Sequence, residues 1–491
     1  MNGILGYDEL PKGWICVPHK DICEINPKLQ PDKIGENLEV SFLPMKLLEE
    51  GTGRFDLSET RKYSEVKKGY TPFIDGDLIF AKITPCMENG KIAVLSNLKN
   101  GIGFGSTEFH VSRPTQLINA FYLFYFFLQK SIREDAKRNF TGSAGQLRVP
   151  KNYFESIPIP LPPLAEQHRI VAKIEELFSD LEDGIVSLKK AQAQLKTYRQ
   201  AVLKYAFEGK LTAAWRQQHQ PEPAEKLLAQ TVRATRRVAP TTANGKTKKP
   251  KELPPLTEAE LAELPQLPEG WRWNSMINFV DVLSGYAFKS SEFIENGVPA
   301  IKISNIGYGE FLWKDQEFLP AGFLKKYKEF VVNPNDLLIA LTRPITNNTT
   351  KACLFPADQN PALLNQRVAV IKNKYAIELR YLFYFFQSTH FKNSIRAKFS
   401  ETLQPNLSPN DLKMLPIPIC SLSEQHQIVQ EIESRLSVCD KLEEGLKESL
   451  QKAEALRQSI LKKAFEGRLA PQDPNDEPAE KLLERIQAAK S

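Results

Sequence analysis

The sequence has few cysteines and no long apolar run, and both absences restrict where the protein works. Its six cysteines include no Cys-x-x-Cys pair and no regular spacing, which favours buried free thiols in a reducing compartment over a disulfide framework. The longest apolar run, residues 120–128, is far shorter than the roughly 20 residues that span a bilayer. No leader of charged and then apolar residues opens the chain. We therefore expect a cytoplasmic protein without a membrane partner.

Motifs that bind nucleotides or metals are also lacking. Residues 244–247, Asn-Gly-Lys-Thr, resemble the end of a phosphate loop, but Pro240 stands where its first glycine belongs. Gly101-Ile-Gly-Phe-Gly105 lacks the third glycine of a dinucleotide motif, so a turn explains it better. His168 and His426 lie in repeated Glu-Gln-His motifs without a partner at metal-ligand spacing, which favours roles at helix ends or subunit interfaces.

Motifs for amino-group methylation and for metal-dependent strand cleavage are absent as well. The chain has no Asn-Pro-Pro-Tyr or Asp-Pro-Pro-Tyr tetrapeptide, and no clear acidic pair followed by Glu-x-Lys. We therefore predict no catalytic residue, no metal site and no cofactor in this chain.

The positive charge of the chain is concentrated in one segment. The net charge is +6, yet residues 226–251 contain eight basic residues and no acidic one, so the rest of the chain carries a net charge of −2. Such a run is more often a solvated linker than a docking surface, although it would also attract phosphates. Net charge alone therefore does not identify the partner.

The chain is a tandem duplication whose two copies are offset by 255–260 residues. Matching landmarks recur in the same order in both copies: Leu10-Pro-Lys-Gly-Trp14 and Leu267-Pro-Glu-Gly-Trp271, Asp77-Leu-Ile-Phe-Ala81 and Asp336-Leu-Leu-Ile-Ala340, Tyr122–Phe127 and Tyr381–Phe386, Glu166-Gln-His and Glu424-Gln-His, and Pro223–Leu228 and Pro478–Leu483. Such a repeat must be found before any fold is assigned. It predicts two similar globules.

The first part of each copy mixes short apolar runs with Gly, Pro and Asn turns, which predicts an α/β or α+β globule. The aromatic run at residues 122–127, repeated at 381–386, predicts one buried helix in each globule. A platform on which bases stack is the alternative, but core packing explains the run better.

The second part of each copy shows the three-four alternation of a coiled-coil seam. The predicted seam residues are Ile170, Ile174, Leu177, Leu181, Leu188 and Leu195 in the first copy, and Ile428, Ile432, Leu442, Leu446, Leu456 and Ile460 in the second. Arg435 and Ser449 interrupt the second seam, so neither helix suits a homodimer. We expect the two helices to pair antiparallel within the chain, with one globule at each end. In the alternative, each helix packs on its own globule.

These motifs, in this order, resemble the specificity subunits of type I restriction-modification systems over essentially the whole chain. Ile157-Pro-Ile-Pro160 leads into Glu166-Gln-His, a long helix and Ala-Phe-Glu-Gly-Lys-Leu, and the series is then repeated. Leu403-Gln-Pro-Asn, before Leu415, is similar to the usual end of a target recognition domain in that family. The first copy departs from it there, although Gln146 falls opposite Gln404.

The resemblance implies a mixed α/β (α+β) fold with two target recognition domains separated by two long antiparallel coiled-coil helices. The boundaries that we predict are recognition domain 1 at residues 1–161, the first spacer helix at 162–215, a basic flexible linker at 216–266, recognition domain 2 at 267–419, the second spacer helix at 420–470 and a C-terminal tail at 471–491.

The resemblance also implies a function. Each globule would read one half of a split, asymmetric site in double-stranded DNA, and the helices would dock two methyltransferase subunits. Two restriction (motor-nuclease) subunits would join for cleavage, and S-adenosylmethionine, ATP and magnesium would belong to those partners. Two alternatives stay open: a related system whose single partner carries both methylation and cleavage, and a scaffold that binds only protein.

Bases are read by side chains at their edges, typically Arg or Lys on guanine and Asn or Gln on adenine, while other cations hold phosphates. The candidate DNA-binding residues are Lys82, Arg133, Lys137, Arg138, Gln146, Arg148 and Lys151 in the first globule, and Arg343, Asn347, Lys392, Arg396, Lys398, Gln404 and Asn406 in the second. Solvated surface charge is the alternative for about half of them.

Overall fold

The computed structural model describes residues 10–30, 34–143, 145–237, 256–375, 377–397 and 406–490, with the side chains of 231–237 and 490 left aside. It divides into two compact units. Unit 1 comprises Met1–Lys189 and Lys447–Ser491, and unit 2 comprises Lys190–Leu446. Two candidate residues, Lys398 and Gln404, lie outside the described residues.

Unit 1 contains globule 1, residues 10–161. Its strands are β1 Ile15–Pro18, β2 Cys23–Ile25, β3 Glu39–Leu43, β4 Thr60–Lys62, β5 Thr71–Ile74, β6 Leu78–Ala81, β7 Ile92–Val94, β8 Ile102–Gly105, β9 Phe109–Pro114 and β10 Pro158–Leu161. Its helices are α1 His19–Ile22, α2 Tyr63–Val66, α3 Ala120–Leu128, α4 Lys130–Arg138 and α5 Lys151–Ser156. Four helices follow in the chain: α6 Leu164–Phe207, α7 Ala213–His219, α8 Ala224–Arg237 and α9 Glu258–Ala262.

Unit 2 contains globule 2, residues 267–419. Its strands are β11 Arg272–Ser275, β12 Val280–Ser284, β13 Val298–Ile301, β14 Phe318–Leu319, β15 Val331–Val332, β16 Leu337–Ala340, β17 Ile345–Thr346, β18 Thr349–Thr350, β19 Ala352–Leu354, β20 Ala362–Leu364, β21 Val368–Asn373 and β22 Pro416–Ile419. Its helices are α10 Phe323–Lys326, α11 Leu379–Gln387, α12 Thr389–Arg396 and α13 Pro409–Met414. The chain ends with α14 Leu422–Phe465 and α15 Ala479–Lys490.

The two globules share one sheet topology, which confirms the duplication. Globule 1 has an antiparallel sheet in the order β2-β9-β6-β7 and a mixed sheet in the order β4-β3-β8-β5, in which β3 and β8 are parallel. Globule 2 repeats both, as β12-β21-β16-β19 and β14-β13-β20-β15. A two-stranded ribbon, β1-β10 or β11-β22, closes each globule. The predicted mixed fold is confirmed.

The apolar run Leu78–Ala81 is explained by a strand buried on both faces. Leu78 and Phe80 face a core formed with the aromatic helix α3, whereas Ile79 and Ala81 face a second core formed with the mixed sheet. In globule 2, strand β16 likewise contributes to two separate cores. The predicted buried aromatic helices are confirmed as α3 and α11.

The Glu and Gln of the repeated Glu-Gln-His motif join each long helix to its globule through hydrogen bonds. In unit 1 the indole Nε1 of Trp14 donates to Glu166 at 3.0 Å, and the amide oxygen of Gln167 accepts from the backbone N of Asn119 at 3.0 Å. In unit 2 Trp271 donates to Glu424 at 2.9 Å, and the amide oxygen of Gln425 accepts from the backbone N of Glu378 at 3.0 Å. These motifs are therefore structural.

The histidines of the same motifs lie at helix ends, as predicted. A ring nitrogen of His168 lies 3.1 Å from the amide nitrogen of Asn119, and His426 lies 3.3 Å from Glu378. Asn119 and Glu378 are the N-caps of α3 and α11.

Helices α6 and α14 each span 44 residues, about 66 Å at roughly 1.5 Å per residue, and each contributes to both units. In unit 2 the end of α6 lies beside the start of α14, because Phe207 packs on Tyr381 and Arg199 binds Asp440. In unit 1 Phe465, at the end of α14, packs on Tyr122. Each helix therefore begins on the globule that precedes it and ends in the core of the other unit.

A glycine with left-handed backbone follows the end of each long helix. Gly209 and Gly467 have φ of 68° and 67°. A Cβ atom at either position would also collide with a proline ring, Pro268 or Pro11. Glycine is therefore required both by the positive φ and by the lack of space.

The region predicted as a flexible linker differs from that expectation in its first part. Residues 213–219 and 224–237 form α7 and α8, and Ala224 is fully buried in the core of unit 2. The basic residues of the linker from Lys246 to Lys251 lie outside the described residues. The Pro-Ala-Glu-Lys-Leu-Leu motif thus begins a packed helix, and it does so again at α15, where Leu482 and Ile486 enter the core of unit 1.

The cysteines are free thiols, as expected. Cys23, Cys353, Cys420 and Cys439 are buried, whereas Cys16 is exposed.

Candidate nucleic-acid interface

Three chain segments meet at the end of strand β6 in globule 1, and we call this place junction 1. The backbone N of Lys82 donates to the carbonyl of Glu108 at 2.9 Å, and the backbone N of Val149 donates to the carbonyl of Lys82 at 2.8 Å. Ile83 and Arg148 form an isolated antiparallel bridge. The junction therefore joins the loop after β6, the turn before β9 and the segment before α5.

Junction 2, at the end of strand β16 in globule 2, has the same backbone bonds. Leu341 N donates to the carbonyl of Arg367 at 2.8 Å, and Leu407 N donates to the carbonyl of Leu341 at 2.8 Å. Thr342 and Asn406 form the isolated bridge. The two junctions thus share one backbone frame on which different side chains are placed.

Junction 1 presents a braced guanidinium. Arg148 donates from Nε and Nη2 to the two carboxylate oxygens of Glu108, each at 2.8 Å, and from Nη1 to the carbonyl of Gln146 at 3.0 Å. The hydrogen bond from Arg148 holds the pKa of Glu108 below its usual value. Burial lowers the pKa of the nearby Lys82 ammonium, and Glu108 offsets this only in part. Charged groups of both signs therefore meet at junction 1.

Junction 2 presents two exposed guanidinium groups on unusual backbone. Arg343 and Arg367 have φ of 47° and 72°, in the left-handed region that residues other than glycine rarely adopt. Among the described residues, neither guanidinium has a hydrogen-bond or ion-pair partner. Asn406, which follows in the same junction, is also exposed. Strained backbone of this kind is concentrated at functional sites.

A basic side chain from the helix after the aromatic helix anchors the loop next to each junction. In globule 2 the Lys392 ammonium donates to the carbonyl of Asn348 at 3.1 Å and to Gln200 Oε1 at 3.0 Å. Arg396 donates to the side-chain oxygen of Asn348 at 2.9 Å. In globule 1 Arg133 donates to the carbonyl of Glu88. These contacts tie the two loops to α12 and α4.

The anchoring role changes the candidate list. Lys392 is only 1% exposed, and burial lowers its pKa, so its ammonium is directed inward and is not available to a phosphate. We therefore correct the prediction that it contacts DNA. Arg133, half-buried against the carbonyl of Glu88, is placed in the same structural role.

The remaining candidates are partly brought together. Lys82, Gln146 and Arg148 meet at junction 1, and Arg343 and Asn406 meet at junction 2. The others lie exposed on neighbouring elements: Lys137 and Arg138 on α4, Lys151 at the start of α5, Asn347 at the tip of the β17–β18 hairpin and Arg396 on α12. Lys137 is 3.7 Å from Glu88, and Lys151 is 3.3 Å from Glu155.

Glu108 and Arg367 are not among the candidates that the sequence predicts. They align at an offset of 259 residues, inside the range that the repeat already defines, but both stand in short turns between apolar strands. An alignment of the two copies for positions where charge is reversed would have found them.

The helix seam is buried at its ends and exposed towards its middle. Ile170, Ile174, Ile428, Ile432 and Ile460 are buried. Leu177, Leu181, Leu188, Leu195 and Leu446 are partly buried, and Leu442 and Leu456 are exposed. In unit 2 an open apolar groove of about 590 Å³ is lined by residues that include Leu195, Tyr198, Val438, Leu442 and Leu446.

The described residues contain no group of three or more His, Cys, Asp or Glu side chains that is placed to hold a metal ion. None of the described helices combines the length and hydropathy that a membrane span requires.

Comparison with known proteins gives consistent matches. A family model described as the type I restriction modification DNA specificity domain matches residues 11–189 and again residues 268–452. The EcoAI specificity subunit of Escherichia coli, a type I restriction enzyme subunit, is 36% identical over 90% of this chain and 81% of its own length. The EcoEI specificity subunit of Escherichia coli is 28% identical with the same coverage.

Two solved structures share the fold. A chain from a study of complex assembly and conformational transition in the type I R-M system gives a TM-score of 0.69 at 20% identity, covering 94% of this chain and 99% of its own. The HsdS subunit from Thermoanaerobacter tengcongensis gives a TM-score of 0.54 at 20% identity, covering 95% of this chain and all of its own.

Proposed function

This chain belongs to the family of type I restriction-modification DNA specificity subunits, and we propose that it reads an asymmetric, bipartite site in double-stranded DNA. Each globule reads one half-site. The observation that carries this proposal is the pair of junctions, because one backbone frame is built twice with different side chains. A shared backbone frame fixes the position at which side chains contact the bases. The identity of those side chains then determines which bases are bound.

The two long helices are the docking surface for two methyltransferase subunits. Apolar side chains stay exposed along the middle of both helices, namely Val186 and Leu456 in unit 1 and Tyr198, Val438 and Leu442 in unit 2. Such residues on a helix pair are typical of a protein interface. Two restriction subunits complete the complex, which works in the cytoplasm. S-adenosylmethionine, ATP and magnesium bind to these partners.

Mapping of modified adenines tests the proposal. The chain is co-expressed with its methyltransferase subunits in a host that lacks adenine methylation, and methylated positions are mapped across the genome. We expect a split motif whose two halves differ. A methylation pattern without sequence preference would contradict DNA reading, and a gel-shift of the complex on random and selected duplexes provides an independent check.

The length of the helices sets the length of the unread spacer. Inserting or deleting about one helical turn between Leu181 and Leu195 should change the spacer and leave both half-sites unchanged. The same methylation mapping gives the result. A variant that reads different bases at unchanged spacing would exclude this function for the helices.

A further inference from the structure

We propose that each junction reads a guanine through one guanidinium, Arg148 in junction 1 and Arg367 in junction 2, and that Glu108 is the positioning residue of Arg148. The inference rests on the proposed function. It adds which side chains contact a base and that this base is guanine. It concerns two aligned pairs of positions, Glu108 with Arg148 and Arg367 with Asn406.

The pairs occupy equivalent places in the two junctions. Glu108 and Arg367 both accept a hydrogen bond through their carbonyl from the first residue after the central strand, and Arg148 and Asn406 both form the isolated bridge with the next residue. Each pair contains one guanidinium. It lies on the segment before α5 in globule 1 and on the turn before β21 in globule 2. The two junctions therefore share one backbone frame, but the arginine stands on a different segment in each.

The hydrogen bonds of Arg148 leave one edge of its guanidinium free. A guanidinium has five N–H donors, and Glu108 and the carbonyl of Gln146 engage three of them. Two donors remain, one on each terminal nitrogen, and the side chain is 37% exposed. Two parallel donors match the O6 and N7 acceptors that guanine shows in the major groove. Glu108 therefore fixes the direction in which this edge points.

Arg367 occupies the position aligned with Glu108, and within the part of the chain that the structure describes no acidic side chain braces it. Its side chain is exposed, its backbone φ is 72°, and among the described residues nothing accepts a hydrogen bond from its guanidinium. Its carbonyl is held by Leu341 at 2.8 Å, so the strained backbone is fixed although the side chain is free. With respect to the described residues, all five donors are available to a ligand with paired acceptors, which is the chemistry of the guanine edge.

The test uses the complete complex with its methyltransferase subunits and a library of duplexes randomised at each half-site. Arg367→Gln should shift one position of half-site 2 from guanine towards adenine, because a glutamine amide matches the N6 and N7 atoms of adenine. The loss of discrimination for guanine there should be on the order of 10- to 100-fold. Half-site 1 and the other positions of half-site 2 should be unchanged, and the latter report that globule 2 is still folded.

Lys325→Met is the matched control, because it removes an exposed positive charge from α10 of the same globule without touching junction 2. It should leave every base preference as it was. If Arg367→Gln instead weakens all sequences equally and reduces the salt dependence by about one phosphate contact, Arg367 binds the backbone and the inference is wrong.

A double-variant cycle tests the role of Glu108. Glu108→Gln and Arg148→Gln should alter the same single position of half-site 1, and the double variant should be no worse at that position than Arg148→Gln alone. A purely structural effect of Glu108→Gln would lower binding at every position. A wild-type complex without any bipartite preference would refute the proposed function, whereas a bipartite motif unchanged by these variants would refute only this inference.

Discussion

Units 1 and 2 use the same tryptophan and glutamate to seat a long helix, but they compensate the buried carboxylate differently. In unit 2 Glu424 accepts from Trp271 and also from Thr212 at 2.8 Å and Arg216 Nε at 2.9 Å. In unit 1 Glu166 accepts from Trp14, and Ala470 stands at the position aligned with Thr212. Both carboxylates are 1% exposed. The tryptophan bond is present in both copies, whereas among the described residues only Glu424 also accepts a hydrogen bond from an arginine.

The corresponding ion pair of unit 1, between Arg169 and Asp476, is more exposed than the pair between Arg216 and Glu424 in unit 2. Arg169 Nη2 is 2.5 Å from Asp476, which joins α6 to the segment before α15, and Arg169 keeps a third of its side-chain exposure. Burial raises the pKa of Glu166, and Trp14, Arg169 and Gln472 oppose this only in part. The comparison shows that the two copies conserve the frame of the fold and vary its charges, as the two junctions also do.

The largest expected difference between the units concerns the helices that close them. Leu482 in α15 is 1% exposed, whereas its counterpart Leu227 in α8 is only partly buried. Leu482→Ala should therefore destabilise unit 1 by about 3 kcal/mol through lost burial and a cavity. Leu227→Ala should cost unit 2 about 1 kcal/mol.

Hydrogen exchange measured by mass spectrometry separates the two units, since unfolding of a chain with two units need not be two-state. Each alanine variant is the control for the other, because the motif around them is the same. Equal losses of protection in the two units would show that α8 and α15 close them to the same extent, against the burial difference.

The second expected difference is that the same substitution, glutamate to glutamine, should destabilise unit 2 but not unit 1. Glu424→Gln removes the charge that compensates Arg216, which is 19% exposed, and should destabilise unit 2 by about 3 kcal/mol. Glu166→Gln removes a charge that burial disfavours, so unit 1 should be at least as stable at pH 7. Protection of each unit against hydrogen exchange gives both results. Destabilisation by both substitutions would mean that Glu166 is compensated as fully as Glu424.

The pH dependence of unit 1 follows from the same carboxylate. A carboxyl whose pKa is raised in the folded state holds its proton more tightly there, so stability is lost as pH rises from the ordinary carboxyl range through the raised pKa. Unit 1 of the parent should become less stable over that interval, and Glu166→Gln should flatten the slope. Exchange free energies, corrected for the intrinsic effect of pH, measure this. An unchanged slope in the variant would assign the titration to another group.

The elements were predictable because they depend on local patterns. Short apolar runs between turns indicated the mixed globules, the aromatic runs indicated α3 and α11, and the three-four alternation indicated the two long helices. The duplication then carried each prediction from one copy to the other.

The composition of the units and the junctions was not predictable in the same way, because both depend on contacts between distant segments. The backbone N of Ala479 donates a hydrogen bond to the carbonyl of Gly13, so segments from the two ends of the chain pack together in unit 1. Lys392 was predicted as a surface cation because nothing in the sequence shows that Gln200 and Asn348 surround it. Glu108 and Arg148 are separated by 40 residues and become a pair only after the fold forms.

The smallest expected difference concerns an aligned pair of arginines on the two long helices. Arg199 in unit 2 binds Asp440 at 2.5 Å and Glu443 at 2.9 Å, whereas Arg457 in unit 1 lies over the ring of Phe178, 4.7 Å from its centre. The two acidic partners of Arg199 are more than half exposed, so Arg199→Ala should cost only about 0.5 kcal/mol. Arg457→Ala should cost a similar amount, about 0.5–1 kcal/mol, through the cation–π contact.

Salt distinguishes the two arginines, because an exposed ion pair is screened within about 10 Å at 0.1 M salt, whereas a cation in van der Waals contact with a ring also buries apolar surface that salt does not screen. The effect of Arg199→Ala on helix protection should therefore vanish at high salt, and that of Arg457→Ala should persist. If both effects vanish together, the contact between Arg457 and Phe178 stabilises unit 1 through charge alone, and the two units hold their helices by the same means after all.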